Sequence, residues 1–261
     1  MEPARSLSRT LAERQSELLK VIRARGEVRV AEMPEMFSVS EETVRRDLRW
    51  LEAQQMIQRS YGVARAVESG LFETRLEDRA ASHLAEKERI AAAAVTRLGE
   101  AQTLYIDEGF NPQLVAKRLP LDRALTVVTP SLPTALLMAQ RPNVRVIILG
   151  GRVRSHTLGV VDETASQMLS ALTVDVAIMG ANAVSVDRGM STPDPAVAVI
   201  KRAAMRAAIR RIFIGAHTKF GLASFVRFAD VSEFEVLITG VEFPATRANA
   251  FRAVGTALLR V

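Results

Sequence analysis

The chain of 261 residues is long enough for two domains, and its 48% hydrophobic and 25% charged residues are typical of a soluble globular protein. The absence of cysteine excludes disulfides and a cysteine-ligated zinc, and the three histidines, His83, His156 and His217, are scattered, so we expect no metal site and no cofactor. Without a long apolar run or a signal-peptide core, we expect a cytoplasmic protein that does not enter the membrane.

The net charge of +6 does not locate a nucleic-acid site. Residues 1–70 contain 12 Arg and Lys against 11 Asp and Glu, a net of +1, whereas residues 71–261 contain 23 against 18, a net of +5. A basic patch has to be local to attract a polyanion. A DNA site must therefore be argued from the local arrangement of residues.

The first predicted element is an amphipathic helix with the sequence LAERQSELLKVIRARG. Leu11, Leu18 and Ile22 recur on one side of it, and Gly26 is typical of a helix end. A short second helix, VAEMPEMF, follows. We expect Pro34 to shorten or kink this helix, because proline lacks the N–H that a helix interior needs.

The third predicted helix follows the turn FSVS and has the sequence EETVRRDLRWLE, with Ser40 as its N-cap. At about 100° per residue, Val44, Leu48 and Leu51 form a buried stripe. Asp47 lies near the edge of the core, where we expect it to buttress the domain. The arginines of this helix fall together on the opposite, exposed face.

A strand-like ribbon, MIQRSYGVARAV, comes next and turns at Gly62. Three helices and a ribbon predict a winged helix-turn-helix over residues 1–66. The alternatives are a small helical bundle that docks a partner, or a basic face that is simply solvated. Glu41 and Glu42 either stabilise the positive end of the third helix or read bases. The candidate DNA-binding residues are Ser40, Glu42, Thr43, Arg45, Arg46, Arg49, Arg59, Tyr61 and Arg65.

The polar segment 67–81 is typical of an interdomain linker. Residues 82–261 begin with an alanine-rich helix, HLAEKERIAAAAVTRL, and then alternate apolar runs with helical segments. We predict an α/β domain with a mostly parallel sheet, whose ligand binds outside the carboxyl ends of the strands. The predicted strands are TLYID, LTVVT, VRVIILGG, VDVAIMG, RRIFIG and FEVLITG, and the helices between and after them are 112–119, 132–141, 162–172, 194–208 and 245–254.

The segment VSEETVRRDLRWLE, followed by IQRSYG, resembles the signature of the DeoR family of bacterial transcriptional regulators. TLYIDEGFN, LTVVTPS, VDVAIMG and HTKFG follow in family order, so the resemblance covers nearly the whole chain. It implies a winged helix-turn-helix joined to a sensor domain related to sugar-phosphate isomerases. It also implies a repressor of a catabolic operon that binds double-stranded operator DNA, responds to a small phosphorylated effector, and forms a homo-oligomer, a dimer or tetramer.

The candidate effector site combines residues that follow three strands with two lysines at positions where the family has lysine. Where this chain has DEGFN, the family commonly has Asp-Ser-Gly-Thr-Thr, which holds a phosphate at a helix N-terminus. The alternatives are that Asp107 only caps a helix and that each lysine is solvated. The candidate ligand-binding residues are Asp107, Glu108, Gly109, Phe110, Asn111, Thr129, Ser131, Gly150, Gly151, Arg152, Lys201 and Lys219.

Several positions depart from the family pattern. Glu108, Phe110 and Asn111 replace hydroxyl residues, which makes the site less favourable for phosphate. Ala216 and Gly240 replace aspartates, which depletes the carboxylates that would bind sugar hydroxyls. We therefore expect a polar anion other than the common sugar phosphates, or a phosphorylated compound held differently. Near the wing, two glycines of the pattern are replaced, by Gln55 and Val63.

Two other functions stay open from the residues alone. Asp107, Glu108 and Lys201 could supply the carboxylate and lysine of an isomerase-like sugar-phosphate enzyme with an accessory N-terminal domain. A degenerate sensor that serves only as an oligomerisation scaffold is the other alternative. We favour the regulator and expect no catalysis, because a basic third helix has no role in an isomerase.

Overall fold

The computed structural model describes residues 11–53, 56–66 and 82–261. The chain divides into two compact units between Ser69 and Gly70. The predicted linker, 67–81, and the departure at Gln55 lie outside the described residues. Among the described helices, none is long and apolar enough to cross a membrane.

The first unit has the predicted helices and ribbon, and one strand that was not predicted. Its three strands form an antiparallel sheet in the order β1-β3-β2. The unpredicted strand, β1, pairs with β3 and completes the sheet behind the wing, which confirms a winged helix-turn-helix. The elements are α1 (Leu11–Arg25), β1 (Glu27–Arg29), a 3-10 turn (Val30–Glu32), α2 (Met33–Phe37), α3 (Glu41–Ala53), β2 (Ile57–Ser60) and β3 (Val63–Ala66).

The first unit differs from the sequence-based expectations at two residues, Leu11 and Pro34. Leu18 and Ile22 are fully buried, as expected, but Leu11 is 54% exposed and lies off the core. Pro34 lies in the first turn of α2, after the 3-10 turn. Because the first-turn N–H groups have no helical partner, proline costs no hydrogen bond there and does not kink the helix.

The wing is a β-hairpin whose two-residue turn is Tyr61-Gly62. Both residues have positive φ, 50° and 76°, and Ser60 pairs with Val63 across the turn. This conformation is the primed turn that matches the twist of a hairpin, and it favours glycine at the second position. Tyr61 is consequently held at the tip of the wing.

The second unit is built on a seven-stranded sheet in which every pairing is parallel. The six predicted strands are confirmed, and the edge strand β15 was not predicted. In chain order the sheet strands are β4 (Thr103–Ile106), β5 (Leu125–Thr129), β6 (Val144–Ile148), β9 (Val174–Met179), β12 (Ala208–Ile214), β14 (Val236–Thr239) and β15 (Ala257–Arg260).

Helices cover both faces of this sheet, because successive strand residues point to opposite sides. On β4, Leu104 and Ile106 belong to one core and Tyr105 to the other. The first core packs against α4 (Leu84–Val95), α5 (Phe110–Arg118) and α6 (Leu132–Ala139). The second packs against α7 (Glu163–Ser170), α8 (Pro195–Ala207) and α9 (Ala245–Ala253).

Two small antiparallel pieces, neither of them predicted, are added to this frame. One is a hairpin of β7 (Arg152–Val153) and β8 (Val160–Val161). The other is a three-stranded sheet of β10 (Ala183–Ser185), β11 (Gly189–Thr192) and β13 (Val226–Ala229). Both follow strands of the large sheet, so they lie among the segments that border its carboxyl edge.

The order of the large sheet is β15-β14-β12-β9-β4-β5-β6. From β4 the chain adds strands in one direction to β6, then crosses over and adds them in the other direction from β9. The reversal leaves a crevice between the carboxyl ends of β4 and β9, the position where open α/β sheets bind ligands.

Candidate functional site

The helix α3 is fixed at its N-terminus by Ser40. The Ser40 Oγ accepts a hydrogen bond from the Thr43 backbone N–H at 3.2 Å, and the two side-chain hydroxyls are 2.9 Å apart. The cap satisfies one of the N–H groups that open every helix. Ser40 and Thr43 therefore set where α3 begins.

On its buried side, α3 is joined to α1 through Asp47, which is fully buried. Its carboxylate accepts hydrogen bonds from Arg14 Nε at 2.6 Å and from Gln15 Nε2 at 3.2 Å, both on α1. The hydrogen bond from Arg14 to Asp47 raises the pKa of the arginine, although burial opposes it. Asp47 has the buttressing position expected from the sequence.

The opposite face of α3 is exposed and basic. Arg45 pairs with Glu41 at 3.2 Å, and Arg49 pairs with Glu42 at 2.8 Å, with all four side chains more than half exposed. Arg46 is exposed and has no ion pair among the described residues. Exposed pairs such as these are weak, so both arginines can exchange a glutamate for a phosphate or a base.

The predicted wing residues differ in their freedom. Arg59 is held by Glu52 of α3, at 2.8 Å from its Nε, and Arg65 by Glu27 of β1 at 2.7 Å. Tyr61 is fully exposed at the turn. Arg59 is partly buried, so its side chain holds the wing against α3 and does not project from the wing.

A cleft of about 470 Å³ lies between the 3-10 turn, α2, α3 and the wing. Its lining includes the start of α3 at Glu41 and Arg45 and the wing from Arg59 to Gly62. Trp50 lies on the flank of α3 and is 45% exposed. The nine predicted DNA-binding residues thus share α3 and the wing of one small unit, and their contact with DNA stays a prediction.

In the second unit, Asp107 and Lys201 form an ion pair at the crevice between β4 and β9. Both side chains are almost fully buried. The Gly180 N–H, after β9, donates to Asp107 Oδ2 at 3.0 Å, and Lys201 Nζ donates to the Gly180 carbonyl at 3.0 Å. The two predicted residues therefore join the carboxyl ends of β4 and β9.

Tyr105 lies beneath this pair, on the other side of the sheet from Leu104. Burial raises its pKa well above the usual value, and the carboxylates of Asp107 and Glu108 raise it further. The phenol therefore stays protonated and lies 3.5 Å from Asp107 Oδ1, as a donor.

Glu108 is also buried, and its charge is balanced inside the protein. Thr157 donates to Glu108 at 2.7 Å, and Arg154 lies 3.3 Å from Glu108 and 3.1 Å from Asp194, the N-cap of α8. An added Cβ at Gly159 would lie 1.7 Å from Glu108 Oε2. Arg154, Thr157 and Gly159 were not predicted, because only the hairpin loop brings them back to β4.

The start of α5 lies directly beside this network. Gly109 has φ of 110° and is the N-cap, without a side-chain cap. Within the described residues, the first-turn N–H groups of Phe110 and Asn111 have no acceptor. Lys87 Nζ lies 5.7 Å from the centre of the Phe110 ring. Two free N–H groups and a nearby cation suit an anion.

The remaining candidates after β5 and β6 have structural partners. Ser131 caps α6 by accepting from the Thr134 N–H at 3.3 Å, and Thr129 accepts from the Ser131 N–H at 3.1 Å. At Gly151, with φ of 140°, a Cβ would lie 2.3 Å from the Val161 carbonyl. Gly150 N–H contacts Met168 Sδ at 3.1 Å. The predicted residue Arg152 is exposed and pairs with Asp162 at 3.3 Å. The arginine of the hairpin that contacts Glu108 is Arg154 instead.

The last candidate, Lys219, lies half-buried in a 3-10 turn (His217–Lys219) after β12. The expected loss of sugar-binding carboxylates at Ala216 and Gly240 stays a prediction, although two glutamates lie close to Gly240. A Cβ at Gly240 would lie 2.4 Å from Glu86 Oε1 and 2.1 Å from Glu242 Oε2, so two glutamates fill the space around it. Burial raises the pKa of Glu242, but the bond from Arg89 and the nearby charges outweigh it and lower the pKa overall.

Beside Lys219, Glu86 contacts His217 and lies near His83. Glu86 accepts from the His217 backbone N–H at 2.7 Å and lies 2.9 Å from His217 Nδ1. One ligand atom from each of His83, Glu86 and His217 lies within 4.8 Å of the others. The three scattered histidines of the sequence thus include two that meet.

Known families match both units. The DeoR-like helix-turn-helix domain matches residues 14–70, and the DeoR C terminal sensor domain matches residues 82–241. The chain is 30% identical to the glycerol-3-phosphate regulon repressor of Escherichia coli over 90% of this chain and 92% of that one. It is 29% identical to the HTH-type transcriptional regulator GlpR of Haloferax volcanii over 95% of this chain and 97% of that one.

Among solved structures, the chain is similar to ribose 5-phosphate isomerase A from Methanocaldococcus jannaschii, with 14% identity over 53% of this chain and 55% of that one, and a TM-score of 0.39. A likeness of this size adds nothing on function. The two family matches confirm the resemblance seen in the sequence, and the relatives are named as regulators, not enzymes. The chain therefore belongs to the DeoR family and is a DNA-binding transcriptional regulator.

Proposed function

We propose that this protein represses a carbohydrate-related catabolic operon in the cytoplasm, by binding operator DNA as a homo-oligomer, and that a small anionic metabolite tunes this binding. The observation that carries the proposal is the anchoring of α3: buried Asp47 holds one side, and Arg45, Arg46 and Arg49 share the exposed side. An anchored helix with exposed arginines fits the major groove, where arginine recognises guanine edges and phosphates.

A dimer or tetramer suits this recognition mode. A single helix reads only a few base pairs, so winged and other helix-turn-helix proteins pair half-sites about 34–36 Å apart on one side of the duplex. We therefore expect the operator to contain inverted or direct repeats with that spacing. The relative named as the glycerol-3-phosphate regulon repressor supports a role in carbohydrate-related metabolism.

The crevice between β4 and β9 is the proposed effector site. The free N–H groups of Phe110 and Asn111 favour an anionic oxygen at the start of α5. Glu108 occupies the place of a family hydroxyl residue, and its partner Arg154 is shared with Asp194. We infer that the effector is a polar anion that differs from the common sugar phosphates, or a phosphorylated compound held away from Glu108.

Footprinting of the full chain on the DNA upstream of its own gene tests the proposal. The reaction is run alone, with a cell metabolite extract, and with a set of phosphorylated sugars and polyols. We expect a protected segment with repeated half-sites that the extract weakens or strengthens. Absence of protection at any salt concentration would contradict DNA binding. If no metabolite alters the protection, the second unit does not sense an effector and the protein binds its operator as a scaffold only. Tight binding of ordinary hexose phosphates would contradict the inferred effector class.

A further inference from the structure

A cluster of two histidines and one glutamate lies at the carboxyl edge of the large sheet, beside Lys219, and contains none of the residues assigned to the crevice between β4 and β9. His83 precedes α4, Glu86 lies in the first turn of α4, and His217 follows β12. The imidazole rings of His83 and His217 are 5.0 Å apart, edge to face. Two chain segments that are 131 residues apart at Glu86 and His217 therefore bring three metal-ligating groups together.

The backbone around the cluster is shaped to form it. His83 has φ of 50°, a left-handed conformation that is uncommon for a side chain larger than glycine. His83 is the N-cap of α4, three residues before Glu86, and a ligand atom of each lies within 4.8 Å of the other. Gly240 has no side chain, and its missing Cβ leaves the space that Glu86 occupies.

We propose that His83, Glu86 and His217 bind one divalent transition-metal ion, with Zn²⁺ as the best match. Imidazole nitrogens favour zinc and its neighbours over Mg²⁺ and Ca²⁺, which prefer oxygen ligands alone. Two histidines and a glutamate leave the fourth tetrahedral position for water or for an anionic oxygen. The proposal goes beyond DNA binding and does not depend on it.

The geometry accommodates an ion after small side-chain movements. Tetrahedral zinc at the usual bond lengths holds its ligand atoms about 3.4 Å apart, and the three ligand atoms already lie within 4.8 Å of one another. His83 is exposed, so its ring can rotate towards the other two.

Glu86 can bind the ion without losing its place. Its Oε1 accepts the His217 backbone N–H at 2.7 Å, and this bond is compatible with metal binding. Its Oε2 faces His217 Nδ1 at 2.9 Å, and the ion takes the place of that contact. A backbone N–H on a ligating carboxylate is the kind of outer contact that orients metal ligands.

The competing explanation is a hydrogen-bonded cluster that only joins α4 to the segment after β12. In that case the Glu86–His217 hydrogen bond would stabilise the fold fully without metal, and His83 would be a solvated side chain nearby. The two explanations differ in metal affinity, which can be measured directly. The chain has no cysteine and only one further histidine, so other strong sites for zinc are scarce.

The test is titration of the full, metal-stripped chain with Zn²⁺ by calorimetry and with Co²⁺ by visible absorption, without DNA. We expect one equivalent of metal per chain and the absorption bands of four-coordinate Co²⁺. His83→Ala and His217→Ala are each expected to weaken binding at least about 100-fold, because even outer-shell changes cost roughly 10–100-fold. His156→Ala, which removes the exposed third histidine, is the matched control and is expected to bind like the parent.

The outcomes are distinct. Absence of stoichiometric binding to the parent chain, or a loss in His156→Ala as large as in His83→Ala, would overturn the proposal. Circular dichroism of the metal-free variants checks folding, and His83→Ala serves as the primary variant because its side chain is exposed. Unchanged affinity in a folded His83→Ala would also contradict the site. A failed footprint would leave these results unaffected, since no DNA is present.

Discussion

Arg14 Nε lies 2.6 Å from Asp47 Oδ2, in an ion pair that joins α1 to the buried side of α3. Asp47 is fully buried, and Gln15 donates to its other oxygen. The same turn of α3 exposes Arg45, Arg46 and Arg49 on the other side. The contact therefore fixes the rotation of α3 about its axis, which determines where the arginines point.

Asp47→Ala is expected to lower the free energy of unfolding of the first unit by about 2–4 kcal/mol, because it leaves the Arg14 charge partly buried without a partner. Urea unfolding followed by circular dichroism measures this loss. Asp122→Ala, at an exposed position in the second unit, is the matched control. A loss below about 1 kcal/mol would show that the pair is not a buttress.

Arg46→Ala is expected to weaken operator binding by about 1–3 kcal/mol if Arg46 contacts a base. Fluorescence anisotropy with a labelled operator, at several salt concentrations, measures the effect. Arg145→Ala removes the same charge from an exposed position on β6 and controls for net charge. If Arg46→Ala binds as well as the parent at every salt concentration, the role given to this face is wrong.

Glu42→Gln is expected to tighten binding to random-sequence DNA several-fold, because it frees Arg49 and removes a negative charge from the surface proposed to meet the phosphates. The effect should shrink as salt screens the phosphates. Glu100→Gln, exposed in the second unit, is the control. The opposite pattern, weaker binding to the operator but not to random DNA, would indicate that Glu42 reads a base.

Gly159→Ala is expected to destabilise the second unit by about 1–3 kcal/mol, because the new methyl group overlaps Glu108. In a Glu108→Ala background the overlap with the carboxylate disappears and only a 3.2 Å contact with the Cβ of residue 108 remains, so the same substitution should cost much less. A double-mutant cycle in urea measures this coupling. Equal costs in the two backgrounds would mean that Glu108 does not occupy the space beside Gly159.

Asp175 should make the stability of the second unit depend on acid pH. Backbone N–H bonds from Thr103 and Gln102, and the Thr103 hydroxyl, lower its pKa. Since the folded-state pKa lies below that of the unfolded chain, the contribution is complete above about pH 4 and is lost as pH falls through the folded-state value.

Asp175→Ala is therefore expected to lose about 2 kcal/mol at pH 7, and the difference from the parent should shrink below pH 4. Urea unfolding at pH 7, 5 and 3 measures both. A difference that stays constant with pH would contradict the assignment to an ionised carboxylate.

Much of the fold could be predicted from periodicity. The apolar runs of the parallel strands and the stripe of Val44, Leu48 and Leu51 carry strong signals, because each buries a whole face. Strand β1 has only three residues, of which only Val28 is buried, and this is too short for a periodic signal. The edge strand β15 is partly exposed, so its pattern is weak as well.

The candidate sites were less predictable where contacts depend on topology. Glu108 and its partners Arg154 and Thr157 are almost 50 residues apart, and only the return of the hairpin loop to β4 brings them together. The meeting of Glu86 with His217 depends on the order of β12 and β14 beside α4. Sequence spacing suggested three unrelated histidines, because it contains no information about which strand ends are neighbours.

The chain contains one tryptophan, and that residue is Trp50, 45% exposed on the flank of α3. Its indole emission therefore originates entirely from the helix that carries the arginines. Bound DNA would alter the polarity around the Trp50 ring and quench its fluorescence. Operator binding by the unlabelled protein can therefore be followed by tryptophan fluorescence. The helix α3 thus carries its own spectroscopic probe, and none of the residues that would contact the effector or the metal adds a second indole signal.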